Sequence, residues 1–283
     1  MVSLGESTNR VWALTLGDHR YVLRQRLDGS AASVRKEAYL SGLLAARDVP
    51  APRVLAAATG EHVAVLSTYV EGVGLDQALG SLTRHELAST WRSVGDVLRG
   101  VHEIGLGTAG EIVGDRIKSF AGGWAAWSTG HLADDLVWLR DRVADGIPIS
   151  AARIDRFADL ARDALADAPV RLIHNDALPQ NILVAPGADG WRCTGVLDWE
   201  FARAGDPRWD LATLDLRPAH LVPEAFYEGY GTHPREPHAT IYEVLALAWK
   251  TRAQLEGRGD WSWTPLAARL AYLRDLAEHL ARI

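Results

Sequence analysis

The chain has 283 residues, 48% hydrophobic and 23% charged, an ordinary globular composition with enough length for one large domain or two smaller ones. One cysteine, Cys193, excludes a disulfide framework and a cysteine-built zinc site. No apolar run approaches the roughly 18 residues of a membrane span, and the opening MVSLGESTNR lacks a basic segment followed by an apolar one. A cytoplasmic protein with no membrane partner is expected. The net charge of −6 argues against a nucleic-acid partner, which would call for a basic face. Charge is uneven: residues 1–70 carry 8 basic and 6 acidic side chains, and the remainder 22 and 30. A slightly basic first part suits a phosphate-bearing ligand and an acidic remainder a cationic one, the plain alternative being an acidic surface kept for solubility.

In chain order, Val11 to Leu16 is an apolar, β-prone run, Gly17-Asp18 a turn pair, and Tyr21-Val22-Leu23 a returning strand. Residues 31–46 have helical composition, with Val34, Ala38, Leu40 and Leu44 available for burial and Pro50 and Pro52 as the stop. Val54-Leu55-Ala56 and His62 to Leu66 form another strand pair. From Thr83 the pattern turns helical. Thr83-Arg84-His85-Glu86 is a capping box, and Leu87, Trp91, Val94, Leu98 and Val101 share one helical face. Residues 112–170 are expected to hold two or three helices. Leu172-Ile173, Ile182 to Val184 and Thr194 to Leu197 are short strands, and the chain is helical again from Leu211. Strands followed by helices define an α+β arrangement of two unequal lobes, at 1–70 and 71–283.

The chemistry concentrates in 171–212, RLIHNDALPQNILVAPGADGWRCTGVLDWEFARAGDPRWDLA. His174, Asp176 and Asn181 form H-x-D-x-x-x-x-N after an apolar strand, and an apolar hairpin then leads to Asp198-Trp199-Glu200. Asp176 and Asn181 lie five apart on a loop, so a carboxylate can face an incoming hydroxyl while an amide oxygen points at a cation. The hairpin returns Asp198 to that cation. One carboxylate, one amide and nucleotide phosphates make a plausible oxygen set for Mg²⁺. Such sites catalyse phosphoryl transfer by positioning and charge neutralisation. Any one of these acids alone would read as a capping or ion-paired loop residue; the ordered set between two apolar strands does not.

The segment resembles the aminoglycoside phosphotransferase and choline kinase-like family, relatives of the protein kinases. H-x-D-x-x-x-x-N, D-x-[DE] and G-D-P-x-x-D-L-A occur here in order, and LGESTNRVWAL, YVLRQR, RKEAYLSGLLA, PAPRVLA, VLSTYVEG and VLRGVHEIG extend the resemblance over nearly the whole chain. The resemblance implies a two-lobed protein-kinase-like fold and ATP or GTP as phosphate donor with Mg²⁺. It implies Asp176 as catalytic base or orienter, Asn181 and Asp198 as metal ligands, and His174 and Asp210 as supports of the catalytic loop. Glu200 takes the second acidic position of D-x-[DE]. Arg24 stands where relatives often place a phosphate-contacting lysine, paired with Glu37. Thr68 and Tyr69 fall in the lobe-joining segment that meets the nucleotide base. Gly5-Glu6-Ser7-Thr8-Asn9 is expected as a loop over the phosphates, with Ser7 contributing and with no strand before it.

Trp124, Trp127, Trp138, the Asp134-Asp135 pair, Glu256, Asp260, Trp261 and Trp263 are candidates for the acceptor region, where aromatics with carboxylates suit a cationic hydroxylated molecule; tryptophans at helical spacing equally suit a core. An aminoglycoside or other basic antibiotic fits this reading. A metabolic kinase for an amino alcohol, amino acid or sugar is the second reading, and a nucleotide-binding pseudokinase the third. Retention of Asp176, Asn181 and Asp198 speaks against the last. His102 is expected to be a packed helix residue and Cys193 a small apolar one.

Overall fold

A computed structural model describes residues 2–6, 9–143, 147–215, 222–258 and 265–280. The expected hairpin forms from β2 (Asn9–Leu16) and β3 (His19–Arg26), joined through Gly17, whose positive φ of 60° closes the turn. The opening differs from expectation. Val2–Glu6 is a strand, β1, paired antiparallel with β2, so Gly5 and Glu6 lie in a ladder and not in a loop. Backbone pairing along the β2 edge overrides the turn signal of a lone glycine. Ser7 lies outside the described residues.

Helix α1 (Ala31–Ala45) starts at Ser30, whose hydroxyl accepts from the Ser33 N–H, and buries Val34, Leu40 and Leu44. Strands β4 (Val54–Thr59) and β5 (Val63–Thr68) complete a five-stranded antiparallel sheet of order β1-β2-β3-β5-β4. Val34 packs there on Val63 and Val65.

The second lobe begins with β6 (Val73–Gly74), α2 (Leu75–Ala78) and α3 (Arg84–His102). The capping box of α3 is present, with the Thr83 N–H donating to Glu86 Oε2 at 2.9 Å and the Glu86 N–H returning to Thr83 Oγ1. Trp91, Val94, Leu98 and Val101 are buried along its predicted stripe. Where helices were expected from 112, the chain first makes a hairpin, β7 (Gly110–Val113) and β8 (Arg116–Ser119), because alternate burial along β7 and a left-handed Gly114 favour a strand turn. Then come α4 (Gly123–Arg142), α5 (Ala151–Ala164), β9 (Arg171–Ile173), β10 (Ile182–Gly187), β11 (Gly190–Val196) and β12 (Arg203–Gly205). Helices α6 (Arg208–Leu214), α7 (Glu224–Tyr230), α8 (His238–Leu255) and α9 (Leu266–Leu280) follow.

Two small sheets, β11-β10-β6 and β8-β7-β12-β9, hold the loops of the site. Helix α7 presses on α3 through glycines: a Cβ on Gly95 would overlap the Phe226 carbonyl oxygen, and one on Gly229 that of Arg92. One apolar core surrounds α3, α7 and the β10–β11 hairpin, with Cys193 buried in it. A second lies among α4, α5 and α8. Among the described residues no helix is long and apolar enough to cross a membrane.

Candidate active site

Strand β9 delivers the chain to a loop over residues 174–178, and Asp210 of α6 holds that loop from beneath. Its carboxylate accepts from the His174 N–H at 2.6 Å and from the Asn175 N–H at 2.7 Å. His102 Nε2 donates to the same carboxylate at 3.1 Å, and its Nδ1 receives the Tyr230 hydroxyl at 2.8 Å. Burial pushes the Asp210 carboxyl upward. The hydrogen bonds from His102 and from the His174 N–H outweigh that and leave it below the usual range. Asn175 sits at φ 65°, a strained setting for a non-glycine, pinned by the Trp209 indole N–H on its side-chain oxygen. His102 is thus packed as expected, and its polar partners additionally lock the loop.

His174 Nε2 donates to the Leu197 carbonyl at 2.8 Å, and Nδ1 accepts the Asp176 N–H at 3.3 Å. That pattern needs a neutral ring, and burial pulls its pKa down accordingly. The Asn181 amide donates to the Asp176 backbone oxygen at 2.9 Å and to its Oδ2 at 3.0 Å. The Asn181 backbone carbonyl in turn accepts the Leu197 N–H at 2.8 Å, and the next residue, Asp198, adopts a left-handed conformation at φ 62°. Asn181, on a 3₁₀ turn (Pro179–Asn181), is thus bonded to Asp176 of the loop, and its backbone bond to Leu197 brings the exit of β11, where Asp198 follows, alongside. Burial raises the Asp176 pKa; the Lys250 charge counters this, while the Asp198 charge adds to the rise. Lys250, buried on α8 and pulled down to about 8 by burial, is a neighbour that no sequence pattern disclosed, since it lies 74 positions downstream of Asp176.

The donor set fits a hard divalent cation. The Asn181 NH₂ is spent on Asp176, which leaves the amide oxygen as the group able to meet a cation. Among the described residues no three His, Cys, Asp or Glu side chains converge on one point. A cation here would take one carboxylate and one amide oxygen, with phosphate oxygens and water completing its shell, an arrangement suited to Mg²⁺.

Toward the first lobe, Arg24 of β3 is ion-paired with Glu37 of α1. Both line a cleft with Arg26, Lys36, Asp198 and Glu200. Glu200 does not join the cation site: Arg26 holds its carboxylate at 3.2 Å, and Lys36 Nζ donates to its backbone oxygen at 2.6 Å. These bonds tie α1 and β3 to the segment following Asp198. Burial, with Arg203 nearby, lowers the Lys36 ammonium to about 8.

Thr68 and Tyr69 serve the sheet more than the expectation allowed. The Thr68 N–H donates to the Arg53 carbonyl at 2.9 Å and the Tyr69 N–H to the Arg20 carbonyl at 3.2 Å, because the β3–β5–β4 pairing runs to the end of the strand. Arg20 also covers the Tyr69 ring at 3.6 Å. Neither backbone donor is open to a nucleotide base.

The acceptor-side candidates separate. Trp124 is core: its indole donates to the Tyr242 hydroxyl, which donates to buried Asp206, both at 2.7 Å. Trp127 stacks on Phe120 at 4.5 Å. Asp135 is buried and ion-paired with Arg252 at 2.9 Å, its carboxyl raised to about 6 by burial. Glu256 is paired with Arg252 and Arg258. Asp260, Trp261 and Trp263 lie outside the described residues.

This is the two-lobed, kinase-like fold of the small-molecule phosphotransferases. The chain belongs to the phosphotransferase enzyme family APH, whose sequence model matches residues 3–255. The chain is similar in structure to a thermostable mutant of aminoglycoside phosphotransferase APH(4)-Ia in ternary complex with ADP and hygromycin B. That match has a TM-score of 0.65 and 20% identity, and covers 99% of this chain and 92% of the other. Spectinomycin phosphotransferase APH(9)-Ia, in complex with ADP and spectinomycin, matches with a TM-score of 0.55 and 14% identity over 98% and 91%. Acyl-CoA dehydrogenase family member 10 of Mus musculus is 23% identical over 236 residues, 77% of this chain; the chain spans 20% of that protein's length.

Proposed function

We propose that the chain transfers the γ-phosphoryl group of ATP or GTP, with Mg²⁺, to a hydroxyl of a small polar molecule in the cytoplasm. The observation that carries this reading is the junction of Asp176, Asn181 and Asp198, tied by the Asn181 amide and the Asn181–Leu197 backbone bond. The acceptor oxygen forms a bond to Pγ as the Pγ–O bond to the leaving diphosphate breaks, and the hydroxyl proton passes to the Asp176 carboxylate. Asn181 and Asp198 would hold Mg²⁺, which supplies charge neutralisation at the phosphates. Arg24, oriented by Glu37, contributes a fixed cation to the phosphate end of the cleft. Ser7 remains a phosphate contact by resemblance alone. A nucleotide-release assay against a panel of hydroxylated small molecules tests this, with D176A as the blank. Release that depends on acceptor and falls about 10²–10⁴-fold in D176A is expected; equal rates for both proteins reject it.

An amine-bearing acceptor, such as an aminoglycoside, is supported by the net charge of −6 and by the antibiotics in the matched structures. A metabolic acceptor is favoured by a different observation. Asp135 and Glu256, carboxylates that suggested an amine partner, are neutralised by Arg252 and Arg258.

A further inference from the structure

Arg203 is a charge that the phosphoryl-transfer chemistry leaves unused. It opens β12, opposite Ile173 of β9 and Glu111 of β7. Ile173 is three residues before Asp176, and Asp198 is five residues before Arg203, so the guanidinium springs from backbone packed beside the reacting centre. It sits over the Trp127 ring of α4 at 4.9 Å, and His131, one turn further along α4, meets the same ring edge-on at 4.5 Å. Arg203 Nε is buried without an acceptor, and among the described residues no carboxylate lies within ion-pairing distance of this arginine. Glu111 and Asp210 act on it only at longer range, and its positive charge reaches Lys36 and His131. A largely desolvated guanidinium with an unanswered donor is costly unless an anion completes it. With one face taken by an indole, its in-plane N–H groups are left for an oxyanion approached edge-on.

We propose that Arg203, seated on Trp127, is the anion-recognition residue of the acceptor site, so that the acceptor carries a carboxylate or phosphate group beside the hydroxyl it presents to Asp176. This rests on the transfer reading above, and it selects among acceptors in the opposite direction from an antibiotic amine. The shared chemistry is a planar or tetrahedral oxyanion that can meet two N–H donors at once.

The test compares acceptors of one carbon skeleton: a hydroxy acid, the corresponding hydroxyalkyl phosphate, the hydroxy amide and the amino alcohol. Nucleotide release is measured with the wild-type chain, R203Q, R203K and D176A. The expected result is at least a tenfold higher kcat/KM for one of the two anionic acceptors than for the amide and the amino alcohol. In R203Q that advantage disappears through acceptor KM, while nucleotide KM stays within about twofold; R203K regains part of it. The carboxylate and phosphate arms identify the source of the oxyanion. A wild-type preference for the amide or amino alcohol overturns the inference, as does an R203Q loss that is equal for charged and neutral acceptors. If no acceptor gives Asp176-dependent release, the transfer reading fails separately. Calorimetric titration of the hydroxy acid and of the hydroxyalkyl phosphate into nucleotide-loaded protein then decides the matter: binding to wild type that is lost in R203Q sustains the role of Arg203, and no binding of either overturns it.

Discussion

His102 Nε2 donates to Asp210 Oδ2 at 3.1 Å, across 108 residues of sequence, and thereby completes the shell of the carboxylate that holds the 174–178 loop. Both groups are buried, and Asp210 also accepts the His174 and Asn175 N–H groups. H102A would leave the carboxylate with one donor fewer and empty space beside Tyr230. A loss of about 3 kcal/mol is expected, the size seen when one partner of a buried polar pair is removed. Denaturant unfolding measures it. The kcat should fall with nucleotide KM little changed, since the loop carries Asp176, to which Asn181 is bonded, and does not belong to the first lobe.

The α3–α7 contact sets the same network from the other side. Gly229 precedes Tyr230, and a Cβ there would collide with the Arg92 carbonyl. G229A should force α7 off α3 and cost about 1–3 kcal/mol, the usual range for overpacking. A control, G107A, meets nothing within 4 Å and should be near neutral. Comparable Tm values for the two variants would contradict the close approach.

Asn181 donates to Asp176, and on the proposed reading it would also offer an oxygen to the cation. N181A should therefore lower kcat and raise the Mg²⁺ concentration needed for half-maximal rate by tenfold or more. D198N should shift the Mg²⁺ dependence further while leaving the Asn181–Asp176 bond at 3.0 Å intact. Magnesium titrations of the three proteins check the order.

Arg24 and Glu37 are partly exposed, so their pairing is worth little to stability, about 0–1 kcal/mol. R24A should accordingly melt near wild type while nucleotide KM rises at least tenfold. R24K, which keeps the charge but not the planar fork, should fall between. A melting loss larger than the change in nucleotide KM would make the pair structural.

Much of the site was legible because its parts lie within 171–212, where spacing alone brings Asp176, Asn181 and Asp198 to neighbouring loops. The hairpin β2–β3 and the capped helix α3 were equally readable, since Gly17, Thr83 and Glu86 act locally. What escaped depends on long-range packing. Lys250 and Tyr230 come to the loop and its supports through helix packing that no local pattern encodes. The engagement of the Thr68 and Tyr69 N–H groups in strand pairing is likewise set by partners distant in sequence. The β7–β8 hairpin was missed because short alternating runs resemble helix segments until a sheet partner, here β12, is known.

The neutral His174 makes acid sensitivity a further expectation, and the sign follows from its lowered pKa. The unfolded imidazole takes a proton near its ordinary value of about 6.5, whereas the folded ring takes one only at lower pH. Folding stability from this group is complete above about pH 6.5 and declines as pH falls toward the folded value. Protonation would also force an N–H at Nδ1 against the Asp176 N–H that it now accepts. In H174Q the decline between pH 6.5 and 5 should flatten, because glutamine does not titrate. Urea unfolding at half-unit pH steps reads the slope, and an unchanged slope in H174Q would remove His174 as its source.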